Sequence, residues 1–180
     1  MDPSKNGSNN LPDRDVDQST AWERMEEIMA DSVSQLPDFP GFKHRMLFYG
    51  ACDQNDGTLS EDYVGMELVY RFDESASESD LITTTYHEVL KEYWNDKGFE
   101  ITRESEYGDG SDRTMVSKRP DKFTYVYKTR RLATLTITSG CVKRVDDWKS
   151  ECIPPLGGVK PEDDYASKHC IAPEDGTVEL

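Results

Sequence analysis

Hydrophobic periodicity switches on and off along this chain. Residues 1–18 hold almost no apolar side chain and are rich in Asn, Asp, Ser and Pro, so a disordered tether is expected there. From Thr20 the pattern becomes helical: Trp22, Met25, Met29, Val33 and Leu36 recur on one face, and Thr20 with Glu23 forms a capping-box signature. Pro37, Pro40 and Gly41 end that helix. Period-two patterning follows. Residues 44–52 read as a strand, Asp53 to Gly57 as a turn, and the next stretch as a strand with Val64, Met66, Leu68, Tyr70 and Phe72 on one face and Glu67 and Arg71 on the other.

The acidic, Ser-rich segment from Asp73 to Asp80 leads to a helix cap at Ser79 or Asp80. Ile82, Tyr86, Val89, Leu90 and Tyr93 then form the inner stripe of a second helix that stops at Gly98. Three strand-like runs follow: 99–106, then 113–128 with an interruption near Pro120, then 132–141. Phe123, Tyr125 and Tyr127 share a face of the second run, and Ala133, Leu135 and Ile137 point inward from the last. The order α-ββ-α-βββ predicts an α+β two-layer sandwich: an about five-stranded, mainly antiparallel sheet with two helices packed on one face. Residues 19–148 are expected to form that domain, and 149–180 a Pro/Gly-rich C-terminal tail.

The cysteines change the picture most. Cys52 and Cys141 each close a strand, while Cys152 and Cys170 bracket the tail. Four cysteines allow three pairings, and the expected one is Cys52–Cys141 with Cys152–Cys170. In the chain-entropy model the short loop is worth about 3 kcal/mol and the long one roughly 4–5 kcal/mol. Paired cysteines imply an oxidising compartment, so the expected location is extracytoplasmic, with the export signal outside these 180 residues. The formal net charge of −15 opposes non-specific binding to nucleic acid and anionic lipid, and no apolar run approaches a membrane span.

Candidate chemistry is sparse. His44, His87 and His169 belong to no GxSxG or HExxH pattern, and no CxxC pair suggests zinc. The Asp53–Gly57 segment resembles a calcium loop, but its glycine comes one place early and Val64 stands at position twelve, so a hairpin turn is the better reading. Glu100 and Glu104 read as alternating on one solvent face of a strand with Thr102 between them, and Asp146 and Asp147 flank Trp148, a tail anchor or a sugar contact. No catalytic residue, metal or cofactor is assigned. Arg113, Lys118, Arg119, Lys122, Lys128, Arg130 and Arg131 cluster in an otherwise acidic chain and, with Tyr125 and Tyr127 between them, form the candidate binding surface for an anionic partner.

A tether and Trp-bearing helix precede Arg45-x-Leu47-x-Tyr49-Gly50-x-Cys52, Trp94-x3-Gly98-Phe99 and Ser139-Gly140-Cys141. Over residues 19–145 this resembles the small exported lipoproteins of actinobacteria, Streptomyces in particular. The resemblance implies a secreted or lipid-anchored protein and assigns no catalytic residue. The leading functional expectation is a monomeric, non-enzymatic extracytoplasmic domain, tethered peripherally to the membrane through its N-terminus or secreted, that binds a protein or a cell-envelope polymer. Alternatives are an acidic inhibitor or immunity-type protein that captures a basic partner, and a small envelope enzyme working from a concave pocket.

Overall fold

The computed structural model describes residues 15–110 and 112–171. Most of the expected tether lies outside the described residues, but order begins before the Thr20 box. Val16 O accepts the Lys143 N–H at 2.8 Å, and the Asp17 carboxylate caps helix α1 (Gln18–Val33) by accepting the Thr20 N–H at 2.9 Å. An aspartate oxygen three residues upstream takes the capping role that Thr20 was expected to play.

Strands β1 (His44–Asp53) and β2 (Leu59–Arg71) form the first hairpin. A one-turn helix α2 (Glu74–Ser77), capped by Asp73, and a π-type turn (Leu81–Thr85) lead into α3 (Tyr86–Asp96). At its end the Gly98 N–H bonds Asn95 O and the Phe99 N–H bonds Trp94 O, with Gly98 at φ +74. That paired closure is a Schellman stop, so the Trp94-x3-Gly98-Phe99 motif is a helix terminator.

Strands β3 (Glu100–Tyr107), β4 (Asp112–Lys118), β5 (Thr124–Thr129) and β6 (Thr134–Lys143) complete a six-stranded antiparallel sheet in the order β1-β2-β6-β5-β4-β3. The fold is α+β. The sheet has one strand more than expected, because the 113–128 run folds back on itself: Pro120 cannot donate to a ladder, and Lys122 adopts φ +72. β3 to β6 form a meander, and β6 then docks on β2, joining the meander to the first hairpin.

The core lies between the helices and one sheet face. Met66, Leu68, Tyr70 and Phe72 of the β2 run meet Ile137 and Leu135 of β6, Tyr125 and Tyr127 of β5, and Trp22, Met25 and Met29 of α1, all buried. Trp94 stacks on Tyr125 with ring centroids 4.7 Å apart, which seats α3 on the meander. A bulge between Ile101 and Arg103 places Glu100 opposite Lys118 but Glu104 opposite Met115. The two glutamates therefore face opposite sides, contrary to the alternation read from the sequence. Glu104 turns under the sheet to pair with Lys91 at 2.8 Å.

The segment after Trp148 is packed onto this domain. It forms β7 (Ser150–Glu151), two short 3₁₀ turns (Pro161–Asp163 and Tyr165–His169) and β8 (Cys170–Ile171), which pairs in parallel with β7. Val159 and Ala166 are buried in the main core, and the Leu156 N–H bonds the Tyr70 hydroxyl at 3.1 Å. Both disulfides have the expected connectivity. Cys52 and Cys141 have Cα atoms 6.1 Å apart and span β1 to β6 across Gly65 of β2; Cys152 and Cys170 lie 4.8 Å apart across β7 and β8. Bulges in β1 after Ala51 and between β2 and β6 near Gly65 bring the longer pair into reach. No helix among the described residues is long and apolar enough to cross a membrane.

Candidate binding surfaces

The predicted basic cluster divides in two. Lys118, Arg119 and Lys122 lie at the β4–β5 turn, and Arg113, Lys128, Arg130 and Arg131 at the opposite end of the same hairpin. Strands of this length separate the two groups by roughly 20 Å. At the first end Arg119 is engaged: its Nη2 bonds Asp121 at 2.8 Å, its Nη1 donates to the Tyr125 hydroxyl at 3.1 Å, and its guanidinium lies 4.9 Å from the centre of the Phe99 ring. At the second end Arg113, Arg130 and Arg131 share a cleft of about 720 Å³ with Thr83 and Thr84, opposite Glu78, Asp80 and Glu106. Each arginine there has a carboxylate neighbour: Glu106 at 3.9 Å, Asp112 at 3.3 Å and Glu74 at 3.2 Å respectively. Surface pairs of this kind are weak and exchangeable.

Tyr125 and Tyr127 do not contribute to that surface. Both are fully buried on the helix-covered face, where the Tyr127 hydroxyl donates to Ile82 O at 2.7 Å. They alternate in phase with Phe123 and so follow its inward parity, while Lys118 and Lys128 project from the opposite side. Burial holds the Tyr127 phenol well above its ordinary range.

The imidazoles are all engaged. His87, 2% exposed, places Nε2 2.8 Å from the Thr129 hydroxyl and packs 4.5 Å from the Tyr127 ring. Burial, reinforced by the positive charge of Arg113, drives its pKa down to about 4. Thr129 is fully buried too, so this pair is closed to a substrate. His44 accepts from Arg71 Nε at 3.3 Å and stacks on Tyr165. His169 Nε2 lies 3.0 Å from Leu47 O, and its ring stacks on Trp148. The Asp53–Gly57 loop is a hairpin turn in which Asp56 Oδ1 accepts both the N–H and the hydroxyl of Thr58. Trp148 is an anchor: it is 4% exposed, meets Trp22 edge-on at 5.8 Å, and its indole N–H donates to Ser19 Oγ at 2.9 Å.

One charged group, noted in the sequence only as the first residue of the Arg45-x-Leu47-x-Tyr49 motif, is central to the architecture. Arg45, 1% exposed, donates from Nη1 to Glu26 Oε1 at 2.8 Å and clasps both oxygens of Asp164, Nε to Oδ1 at 2.8 Å and Nη2 to Oδ2 at 2.7 Å. Glu26 also accepts from the Tyr70 hydroxyl at 2.7 Å and the Trp22 indole at 3.0 Å. Desolvation raises the Glu26 pKa, with Arg45 opposing. The hub ties α1, β1, β2 and the C-terminal segment together. Its sequence signal is a pair of charges at inward positions: Arg45 two before Leu47 in β1, and Glu26 four after Trp22 in α1.

The two longer helices pack on the inner face, and the opposite face carries a row of half-buried side chains in which Val69 and Thr136 are buried, at 8% and 7% exposure. Met46, Val69, Thr136, Val126 and Val116 lie side by side across five strands, following the pairing register. Phe48, 51% exposed, sits at the β1 end of the adjoining row, opposite Glu67, which pairs in turn with Thr138. The outward cations Arg71, Arg103, Lys118 and Lys128 are set against Glu67, Glu100 and Asp112, so this face escapes the acidity of the whole chain. No protein family, characterised protein or solved structure matches the chain.

Proposed function

We propose that this protein is an extracytoplasmic, non-enzymatic binding domain, secreted or held at the cell envelope, that docks an envelope component on the outer face of its sheet. The observation that carries the reading is the sheet face opposite the helices: a half-buried apolar and threonine row with cations and carboxylates mixed at its margins, in a chain of net charge −15. The two disulfides support the compartment, because such bonds persist where thiols are oxidised. The closed environment of His87 and Thr129 supports binding over catalysis.

Two measurements test this. Native protein from fractionated cells is alkylated with and without reductant and weighed intact; the expected result is no alkylated thiol without reductant, in an extracytoplasmic fraction. Purified protein is then sedimented with isolated envelope, alongside Val126→Glu, which places a charge in the middle of the row. Wild type should co-sediment in a salt-sensitive manner and the variant should stay in the supernatant with unchanged thermal unfolding. Free thiols in a cytosolic fraction, or equal sedimentation of the two proteins, would overturn the reading. Salt-sensitive capture of a cationic protein in place of envelope would select the acidic-inhibitor alternative.

A further inference from the structure

The two edges of the sheet are built differently. β3 carries Glu100, Arg103, Glu104 and Glu106, the kind of charge that keeps an edge strand from pairing with another chain. β1 carries no charge between Arg45 and Asp53. The C-terminal segment covers only its first half: Asp164 bridges to Arg45 in parallel, His169 Nε2 reaches Leu47 O, and the chain then turns to pair β8 with β7. Beyond Leu47, the residues Phe48, Tyr49, Gly50 and Ala51 are all exposed.

The phase of the ladder fixes which backbone groups point outward. The Met66 N–H turns away from β1 toward β6, where it donates to Ser139 Oγ at 3.0 Å. Tyr49, opposite Met66, therefore turns its own N–H and C=O away from β2, as Leu47 does where its carbonyl meets His169. Ala51, opposite Val64, has the same phase. Past the Asp164 bridge β1 pairs with β2 alone among the described strands, so Tyr49 and Ala51 offer their N–H and C=O groups along about 7 Å of free edge. Space lies on both sides of that edge, and Tyr49 and Gly50 border both. On the helix side is a cleft of about 440 Å³ walled by Tyr49, Val64 and Trp148. On the outer side is a hollow of about 390 Å³ along Phe48, Gly50, Gly65 and Cys141. Its floor is bare: a β-carbon at Gly50 would meet nothing within 4 Å, and one at Gly65 nothing nearer than 3.9 Å. Phe48, 51% exposed, stands beside it.

We infer that the outer half of β1 receives an extended segment of another polypeptide as an added strand. Outward N–H and C=O groups in strand register are matched by a peptide backbone, and alternate side chains of that peptide need room above and below the edge, which this edge has. The peptide residue opposite Gly50 turns its side chain into the outer hollow. An aromatic ring suits that position, since it covers the two glycines and lies beside Phe48. The residues before and after it turn to the helix side, where the cleft takes one of them. The recognised segment is an alternating strand with an aromatic on its outer parity. The site lies at the sheet edge, apart from the row centred on Val126, so either reading can fail without the other.

The test is selection of a displayed random-peptide library on the purified protein, followed by amide hydrogen exchange with and without a synthetic copy of the strongest binder. The expected result is enrichment of alternating peptides with an aromatic residue. The Tyr49 and Ala51 amides should exchange fast in the free protein and slowly in the complex, while Phe48 and Gly50, paired with Glu67 and Gly65, stay unchanged. Ala51→Pro removes an outward N–H and no bond to β2, and should weaken the peptide by about tenfold or more, at least the size of one hydrogen bond. Gly50→Lys places a charge where space is open and should weaken it likewise. Both variants should keep the wild-type thermal unfolding. A copy of the peptide methylated at the amides that face the edge should not bind. No enrichment, or binders that hold both variants as tightly as wild type, would overturn the inference. Slow exchange at Tyr49 and Ala51 without peptide would overturn it too: in concentrated, dimeric protein alone it makes the occupant a second copy, and in dilute monomer it means the chain covers its own edge.

Discussion

Replacing Arg45 with Met tests whether the buried ionic hub holds the C-terminal segment on the domain. Methionine keeps the length and most of the apolar stem, so the loss isolates the charge. The guanidinium makes three charge-assisted hydrogen bonds of 2.7–2.8 Å to Glu26 and Asp164 while 1% exposed. Removing it leaves two largely buried carboxylates facing each other without a cation. Deleting one partner of a buried ion pair costs about 3–5 kcal/mol, a large share of the ordinary 5–15 kcal/mol of a domain. The pH dependence has a definite sign. Arg45 restrains a Glu26 pKa that burial raises above 4.5, so without it that pKa climbs further. A carboxyl whose folded pKa is raised favours the fold below its unfolded value and loses that contribution as pH rises through the folded one. The deficit of Arg45→Met should therefore be greatest at neutral pH and shrink on acidification. Urea unfolding followed by tryptophan fluorescence, with Trp22 inside the hub, reads both quantities. Glu26→Gln in the Arg45→Met background should recover part of the loss, because only Asp164 then remains charged. A deficit below about 1 kcal/mol at neutral pH, or one that grows on acidification, would refute the account.

Two further outcomes follow from single sites. His87 titrates at about 4 in the fold against 6.5 in the unfolded chain, so its contribution is present above 6.5 and lost as pH falls toward 4, up to about 3 kcal/mol in all. His87→Gln keeps a partner for Thr129 and should flatten that part of the stability–pH curve; parallel curves for variant and wild type would count against the buried neutral imidazole. Gly157 has φ +67, and a β-carbon there would lie 2.8 Å from Phe42 Cδ2 and 2.9 Å from Phe42 N, whereas Gly158, at φ +74, has open space. Gly157→Ala should therefore cost about 2 kcal/mol or more and Gly158→Ala about 1 kcal/mol, measured by urea unfolding; equal costs would mean the tail is not seated against Phe42.

What the sequence discloses here depends on whether local pattern and tertiary parity agree. β2 was legible because Val64, Met66, Leu68, Tyr70 and Phe72 alternate without interruption and one face is buried. The cysteine pairing was legible because two strand-ending thiols and two tail thiols sort themselves. Glu100 and Glu104 misled because a bulge adds a residue between them, and a bulge has no signature in polar residues alone. The basic cluster was contiguous in sequence only; a hairpin carries its residues to opposite ends. The role of Arg45 went unread because a charge within a strand is ordinarily solvent-facing, and its partners arrive from 19 and 119 residues away.

The same long-range ties explain why the two clefts sit on mechanically different ground. The hub, the Cys52–Cys141 bridge and the Trp148 anchor all converge on β1, β2, β6 and the start of α1. The cleft of about 440 Å³ beside Tyr49, Arg144 and Trp148 is built on those elements, so its walls are tied to the core. The arginine cleft lies instead beside β3, an edge strand that pairs with β4 alone and is largely exposed, and its floor is the irregular π-type turn before α3. Glu100, Arg103, Glu104 and Glu106 guard that edge with charge against pairing to another sheet. In the arginine cleft the pairs of Arg130 with Asp112 and Arg131 with Glu74 are largely solvent-exposed, so salt screens them and they add little stability.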